Sequence, residues 1–175
     1  MLFRSRKHYG LFLGRPISDN LSSAAVKRIS TWGVRSDRSE LEMVTDNAVK
    51  FTVDPARLPQ EAGVLSGGNQ QKVALAKWLA INPDIILVNE PTRGVDVGAR
   101  AEIYQKLREL ADEGAAIVVA STDIQEITNL PDRVITIYRG IQVGEIALDD
   151  MTAAAILKEI TDPFDETGLQ EGQTV

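Results

Sequence analysis

A serine followed by two glycines, at residues 66–68, is the first feature of this 175-residue chain that suggests chemistry. Ser66 can cap a helix, and Gly67 and Gly68 leave backbone N–H groups bare at the positive end of the helix dipole. An oxyanion can approach such groups closely, and Gln70, one turn further on, can add a side-chain donor. The motif therefore predicts a phosphate cradle without a lysine, although an ordinary capped helix after a loop explains the same residues.

Two residues capable of metal or water chemistry, Asn89 and Glu90, follow the apolar run at residues 85–88. Ligands of open α/β sheets bind beyond the carboxyl ends of the strands. An amide oxygen placed there can accept from a metal-bound water, and a carboxylate can orient an attacking water. The alternative is a polar strand end that leads into a turn at Pro91.

Further polar residues lie at predicted helix starts, namely Asp96 and the run Ser121-Thr122-Asp123 that follows the apolar residues 115–120. Asp, Ser and Thr are preferred at helix N-termini, so capping alone explains these positions. If residues 115–120 form a parallel strand, however, the run after them belongs to the same sheet edge as Glu90.

The elements that must position these residues are predicted from periodicity and from Gly, Pro and capping signals. We predict helices at residues 22–30, 38–50, 66–81, 96–114 and 124–129, strands at 85–88 and 115–120, and a hairpin of 134–138 with 141–146. Helices that alternate with short, buried apolar strands indicate an α/β fold with a mostly parallel sheet.

Composition excludes several classes of function. The chain has no cysteine and a single histidine, His8, which rules out disulfides, thiolate sites and multi-histidine metal sites. With 19 basic and 25 acidic residues its net charge is −6, which is unfavourable for binding nucleic acid. The longest apolar run has six residues, whereas a membrane-spanning helix needs about 20.

Taken together, the motifs resemble the nucleotide-binding domain of ABC transporters. Residues 65–73 read LSGGNQQKV, similar to the ABC signature, and residues 85–100 read IILVNEPTRGVDVGAR, similar to the Walker B strand and D-loop. Residues 102–127, 132–146 and 6–21 are similar to the segments that flank these motifs in the family. The form of the motifs is that of the second such domain of monosaccharide-import ATPases.

The resemblance implies an incomplete P-loop NTPase domain with a mostly parallel sheet, a helical subdomain and a C-terminal β-hairpin. We expect residues 1–60 to hold an N-terminal remnant and part of the helical subdomain. Residues 61–160 would carry the signature, Walker B, D-loop and switch region, and residues 161–175 would form a disordered acidic tail.

In the family, two such domains enclose ATP and Mg²⁺ head to tail, and the resemblance implies a role for each motif residue. The contacts to ATP held by an opposing domain would come from Ser66, Gly67, Gly68 and Gln70. Glu90 takes the position of the catalytic glutamate that polarises the attacking water. Asp96 takes the D-loop position that helps to couple the two sites, and Thr122 takes the switch position.

Three departures from the family pattern bear on activity. A P-loop needs GxxxxGK[ST], and no glycine of this chain is followed by lysine, so the phosphate clamp for ATP is missing. Asn89 stands at the Walker B aspartate position, where a neutral amide is a weak ligand for Mg²⁺. Thr122 stands where a switch histidine would act. We therefore predict that the chain alone does not hydrolyse ATP.

The similarity begins abruptly at Arg6, because residues 3–5 do not match the family. This predicts a truncated or internally initiated chain, or a domain fragment. The resemblance places the P-loop strand next to the Walker B strand, so its loss is expected to expose an apolar sheet edge. We predict a weakly stable or self-associating chain.

The partners implied are another nucleotide-binding domain, membrane-spanning permease subunits and, indirectly, a periplasmic sugar-binding protein; nucleic acid is not expected. The location implied is peripheral, on the cytoplasmic face of the inner membrane. Four residues of the helical subdomain are candidates either for contact with the membrane subunits or for the local core: Leu21, Ile29, Trp32 and Leu41.

The function implied is that of an ATP-binding component of a sugar importer that supplies the signature half-site to an opposing domain. One alternative is a non-catalytic structural remnant of such a subunit. Another is an ABC-class ATPase of DNA repair or chromosome handling, which would be supported by coiled-coil arms or a basic groove, and the sequence contains neither.

Overall fold

The computed structural model describes residues 2–3, 10–32 and 34–161. The chain divides into two compact units, Met1–Ala120 and Ser121–Val175. The predicted boundaries after residues 60 and 160 stay predictions. The expected disorder of the acidic tail lies outside the described residues, apart from Thr161, which ends a helix.

The first unit alternates helices and strands, as predicted for an α/β fold. Its elements are β1 (Leu2–Phe3), α1 (Ile17–Ser22), β2 (Ser30–Thr31), β3 (Val34–Arg35), α2 (Asp37–Lys50), α3 (Gly67–Leu79), β4 (Ile85–Asn89), α4 (Val97–Asp112) and β5 (Ala116–Ala120). The three long helices each begin at a side-chain cap, supplied by Ser36, Ser66 and Asp96. The predicted helices at 38–50, 66–81 and 96–114 are confirmed to within two residues at each end.

The helix predicted at residues 22–30 is wrong. The helix found there, α1, begins after Pro16 and ends at Ser22. The hydroxyl of Ser22 donates to the Asp19 carbonyl at 3.4 Å, and that of Ser23 donates to the Asn20 carbonyl at 2.8 Å. Serine side chains that bond backbone carbonyls compete with the helical ladder, and the chain continues in turns to the short antiparallel pair β2–β3.

The main sheet has three parallel strands in the order β1-β4-β5. Strand β4 pairs with β5 from Ile85 opposite Ala116 to Asn89 opposite Ala120. Only one face of β4 is buried, through Ile86 and Val88. The mostly parallel sheet predicted for this part of the chain is confirmed.

The prediction that β5 is a buried strand is wrong, because β5 is the edge strand of this sheet among the described residues. None of its five residues is buried, and Val118 is 55% exposed. The open apolar edge was expected beside the Walker B strand, which is β4. That strand is paired on both sides, by β1 and β5, so the open edge lies one strand further out.

The core of the first unit forms where α1 packs on α2 and α3. Its largest fully buried aliphatic side chains include Ile17, Leu21, Val44 and Val73. Asn20 is also fully buried and fixes the segment before α1: its amide group donates to the carbonyls of Phe12 and Pro16 at 3.0 Å and accepts from the Phe12 N–H at 2.7 Å. A buried amide is tolerated because these bonds replace its bonds to water.

A buried lysine joins α3 to the segment that precedes α1. The Lys77 ammonium donates to the Gly10 carbonyl at 3.2 Å and lies 5.0 Å from the centre of the Phe12 ring. Burial lowers the pKa of Lys77 below the usual lysine value, because the charged form loses hydration.

The second unit contains α5 (Ile124–Asn129), β6 (Arg133–Tyr138), β7 (Ile141–Ala147) and α6 (Ala153–Thr161). Strands β6 and β7 form the predicted antiparallel hairpin. Arg139 and Gly140 both have positive φ angles, 49° and 87°, as a tight hairpin turn of the I′ type requires. Val134, Ile146 and Ile156 form the core of this unit.

The sequence prediction missed helix α6. Its start is marked by Thr152, whose hydroxyl oxygen accepts from the Ala155 N–H at 3.1 Å. Ile156 is the buried residue of this helix, Ala155 packs beside it against the core, and the Thr136 hydroxyl donates to the Glu159 carboxylate at 3.1 Å.

Every helix among the described residues is too short or too polar to pass through a lipid bilayer.

The open edge of β5 generates a prediction about association. The strand presents apolar side chains and no charge, and such edges pair with other chains. We expect the chain to self-associate as its concentration rises, and Val118→Lys to shift it towards monomer, as measured by sedimentation velocity.

The matched control for this test is Val97→Lys, since Val97 is 84% exposed at the start of α4 and lies outside the sheet. It should leave the association unchanged. A wild-type chain that stays monomeric at all concentrations and melts cooperatively at high temperature would contradict the prediction.

Candidate functional site

The Ser-Gly-Gly segment lies at the N-terminus of α3. The Ser66 hydroxyl oxygen accepts from the Asn69 N–H at 3.4 Å, and the Ser66 carbonyl accepts from the Gln70 N–H at 2.9 Å. Ser66 is exposed and Gly67 is half-buried. The predicted cap is confirmed, and the positive end of the α3 dipole is open to an approaching anion.

Gln70 has a local structural task that the sequence did not predict. Its amide nitrogen donates to the carbonyls of Leu65, at 3.1 Å, and Gly63, at 3.4 Å. The side chain thereby ties the preceding loop to the first turn of α3. A role of Gln70 towards a phosphate remains a prediction.

Gly68 is buried where α3 lies against the start of α4. A Cβ atom at this position would lie 2.5 Å from the Ala99 Cβ and 3.2 Å from an Asp96 carboxylate oxygen. No side chain fits, so the absence of a side chain at Gly68 is required by helix packing. The same close approach makes Asp96 a neighbour of the Ser-Gly-Gly segment.

Asp96 caps α4, as predicted. One carboxylate oxygen accepts from the Ala99 N–H at 2.9 Å, and the residue itself is exposed. The cap fixes the carboxylate beside Gly68. Capping alone explains the position of Asp96, so its role in coupling two nucleotide sites remains a prediction.

Glu90 follows β4 in a left-handed backbone conformation, with φ of 52°. This conformation costs a residue other than glycine about 1–3 kcal/mol, and such strain is concentrated at functional sites. The Glu90 N–H donates to the Ala120 carbonyl at 2.8 Å, which holds the residue at the carboxyl end of the sheet. Asn89, the last residue of β4, lies opposite Ala120.

Gln71 is a residue that the sequence analysis overlooked. Its side chain is 2% exposed, and its amide nitrogen donates to the Pro91 carbonyl at 2.6 Å. It thereby links α3 to the loop that contains Glu90. The only sequence signal is its position three residues after Gly68, on the same helix face.

A second residue on this face, Lys72, is 93% buried and pairs with Glu102 of α4 at 2.9 Å. Together, Gly68, Gln71 and Lys72 bring α3 against the segment that runs from the end of β4 into α4. The structure thus joins the predicted cradle, Glu90 and Asp96 within one unit.

The predicted metal position, Asn89, offers one neutral amide oxygen. Among the described residues, no three His, Cys, Asp or Glu side chains are grouped so that they could hold a metal ion. Divalent magnesium prefers several oxygen ligands, usually including carboxylates. The residues present therefore do not fit a metal ion held by this chain alone.

Thr122 belongs to the second unit. It is exposed, between two residues that order the start of α5. The Ser121 hydroxyl oxygen accepts from the Asp123 N–H at 3.0 Å, and the Asp123 carboxylate accepts from the Gln125 N–H at 3.0 Å. Capping of α5 is therefore confirmed for Asp123, and the switch role of Thr122 remains a prediction.

Known proteins resemble this chain in sequence. The family model for ABC transporters matches residues 8–93. Ribose import ATP-binding protein RbsA of Ruegeria sp. (strain TM1040) is 45% identical over 157 residues, which are 89% of this chain and 31% of the relative. RbsA 1 of Mesorhizobium japonicum is 43% identical over 152 residues, 87% of this chain and 30% of the relative. The chain spans less than a third of these relatives.

Solved structures resemble it in fold. A dimeric ATP-binding cassette in a post-hydrolysis state, bound to ADP and Pi, has a TM-score of 0.69 and 26% identity, and the match covers 81% of this chain and 60% of the cassette. A nucleotide-free ATP-binding cassette of an ABC transporter has a TM-score of 0.73 and 17% identity, covering 87% of this chain and 63% of the cassette. The predicted ABC ATPase fold is confirmed.

The contact at Gly68 generates a prediction about stability. We expect Gly68→Ala to lower the free energy of unfolding by about 1–3 kcal/mol, because the new methyl group overlaps Ala99 and the helices must separate. Combining it with Ala99→Gly makes room, so the double variant should be less destabilised than the sum of the two single variants. Urea unfolding followed by circular dichroism measures all three.

Gly98→Ala is the matched control for this cycle. It lies in α4, and a Cβ there would meet only an Asp96 oxygen, at 3.5 Å. Because alanine favours helix over glycine, this variant should gain up to about 1 kcal/mol. Strict additivity of Gly68→Ala and Ala99→Gly would show that the two helices do not meet as described.

Proposed function

The chain belongs to the ABC transporter family, and on that premise we propose that it is an ATP-binding component of a sugar importer. In this proposal the chain supplies residues 66–68 to ATP whose phosphates are held by the P-loop of another domain. The observation that carries the proposal is the exposed, capped N-terminus of α3, with Asp96 fixed beside it. The names of the ribose-import relatives support sugars as the transported class.

The chemistry of the α3 N-terminus suits a half-site better than a complete site. Its backbone N–H groups and the helix dipole attract the terminal phosphate of a nucleotide. Residues 65–70 contain no lysine to neutralise a triphosphate, and Lys72 is paired with Glu102. A full phosphate clamp combines a backbone nest with a lysine. Ser66, Gly67 and Gly68 therefore act as a cover for phosphates whose charge is neutralised elsewhere.

Glu90 is proposed to polarise an attacking water, which is the role of the catalytic glutamate in the resemblance. A carboxylate activates water only if the phosphate to be attacked is held beside it. No glycine of the sequence is followed by lysine, so the chain does not provide that clamp itself. We expect it to be inactive alone, with Glu90 contributing only when a P-loop is supplied.

Magnesium is proposed to arrive with the ATP phosphates. The amide oxygen of Asn89 can accept a hydrogen bond from a metal-bound water, but it brings no charge to the site. Thr122 is not able to act as an acid or base as a histidine does. In this proposal, the opposing domain therefore neutralises the negative charge of the ATP phosphates.

The proposed partners are a second nucleotide-binding domain and membrane-spanning permease subunits at the cytoplasmic face of the membrane, with a periplasmic sugar-binding protein as an indirect partner. Leu21 and Ile29 are core residues, at 0% and 4% exposure. Trp32 and Leu41 are 99% and 64% exposed, so these two remain as candidates for contact with a permease subunit.

A titration tests the proposed half-site. Labelled ATP with Mg²⁺ is titrated into the chain alone, and then into the chain mixed with a P-loop-bearing ATP-binding domain. We expect the mixture to bind more tightly than either component, and Ser66→Arg to abolish the gain because its side chain fills the approach to α3.

The matched control is Ser36→Arg. Ser36 caps α2 through the Ser39 N–H at 3.3 Å, nearly the geometry of Ser66 at α3, so each variant loses one cap and gains one cation. Only Ser66→Arg should affect binding. If the mixture binds ATP no more tightly than the P-loop-bearing domain alone, the chain is better explained as a non-catalytic remnant. Single-turnover hydrolysis of ATP by the chain alone would contradict the prediction that it is inactive.

A further inference from the structure

We infer that Gln71 is a positioning residue that couples the α3 N-terminus to the loop bearing Glu90. The inference rests on the proposed function, since the α3 N-terminus is taken to be the surface that meets nucleotide. It concerns the link between that surface and Glu90 within one chain.

The contact is short, buried and specific. The Gln71 amide nitrogen lies 2.6 Å from the Pro91 carbonyl oxygen, in surroundings that leave the side chain 2% exposed. Proline has no N–H group, so this carbonyl is the one backbone hydrogen-bonding group that Pro91 offers. Removing the donor leaves a buried oxygen unsatisfied, which destabilises this arrangement of the loop in particular.

Pro91 directly follows Glu90, whose backbone is held in the left-handed region. A strained residue persists only where its surroundings fix it. The Glu90 N–H is fixed by the Ala120 carbonyl on one side, and the Pro91 carbonyl is fixed by Gln71 on the other. The position of Gln71 therefore bears on the orientation of the Glu90 carboxylate.

The other two contacts of this α3 face lead elsewhere. Gly68 approaches Val95, Asp96 and Ala99, at the end of the loop and the start of α4. Lys72 pairs with Glu102 in the second turn of α4. Of the three, only Gln71 reaches the start of the loop, beside Glu90.

A helix transmits displacement along its length, because its backbone is rigid over a few turns. Gln71 lies five residues after Ser66, a separation of about 7.5 Å at about 1.5 Å per residue. Contact of a nucleotide with residues 66–68 that shifts or steadies α3 is thereby carried to the Pro91 carbonyl. Through this coupling, Glu90 responds when residues 66–68 of its own chain contact the nucleotide that the opposing domain holds.

Hydrogen exchange resolved by residue tests the inference. The full chain is mixed with a P-loop-bearing ATP-binding domain and ATP–Mg²⁺, and exchange is followed at residues 66–70 and at Glu90, Thr92 and Arg93. In the wild type we expect slower exchange in both segments. In Gln71→Met, which keeps the side-chain length but lacks the donor, the slowing at residues 66–70 should persist and that at 90–93 should be lost.

The control variant is Gln105→Met, which removes an amide donor from the exposed face of α4, where Gln105 bonds to Glu109. It should behave as the wild type. If Gln71→Met keeps the wild-type slowing in both segments, Gln71 does not couple them and the inference is overturned. If the wild type shows no slowing at residues 66–70, the proposed half-site fails and the inference fails with it.

A second measurement needs no variant and applies if Gln71→Met does not fold. The side-chain amide resonances of Gln71 are recorded in the wild type as the second domain and ATP–Mg²⁺ are added. A shift that accompanies the change at residues 90–93 supports the coupling. An unchanged Gln71 amide, while residues 90–93 change, would overturn it.

Discussion

The arrangement of the site depends on how closely α3 can approach α4. Gly68 allows the two backbones to meet where any side chain would collide with Ala99. Once the helices are in contact, Gln71 reaches Pro91 and Lys72 reaches Glu102. The close approach at Gly68, the buried hydrogen bond of Gln71 and the half-exposed ion pair of Lys72 thus act on the same pair of elements. A short, buried contact such as that of Gln71 is sensitive to a displacement of even one methyl group.

The features that could be predicted from the sequence are those whose cause lies within a few residues. Ser66 and Asp96 each accept from the backbone N–H three residues ahead, as their residue types predicted. The helix α2 was predicted from its apolar spacing, and its cap at Ser36 was not predicted. The position of β5 was predicted but its exposure was not, because burial depends on which strands pair. Gln71 was overlooked because its partner lies 20 residues away.

The site combines a relaxed half and a strained half. The α3 N-terminus has an ordinary side-chain cap, supplied by Ser66. Glu90 is held in an unfavourable backbone conformation by the hydrogen bond of its own N–H to the Ala120 carbonyl and by that of Gln71 to the Pro91 carbonyl. A residue held in this way responds to small changes in its surroundings. The two halves are therefore suited to different tasks, recognition and response.

The unpaired edge of β5 has a consequence for the lifetime of the chain in a cell. Among the described residues β5 is hydrogen-bonded to a strand on one side only, and Val118 is exposed. Such a strand has a lower free energy of local opening than the central strand β4. Proteases and holdase chaperones act on the opened population of such segments. The abundance of the protein would then depend on how often the five residues of β5 detach from the sheet. A partner that covers β5 would lengthen the half-life of the protein without contacting the proposed nucleotide site.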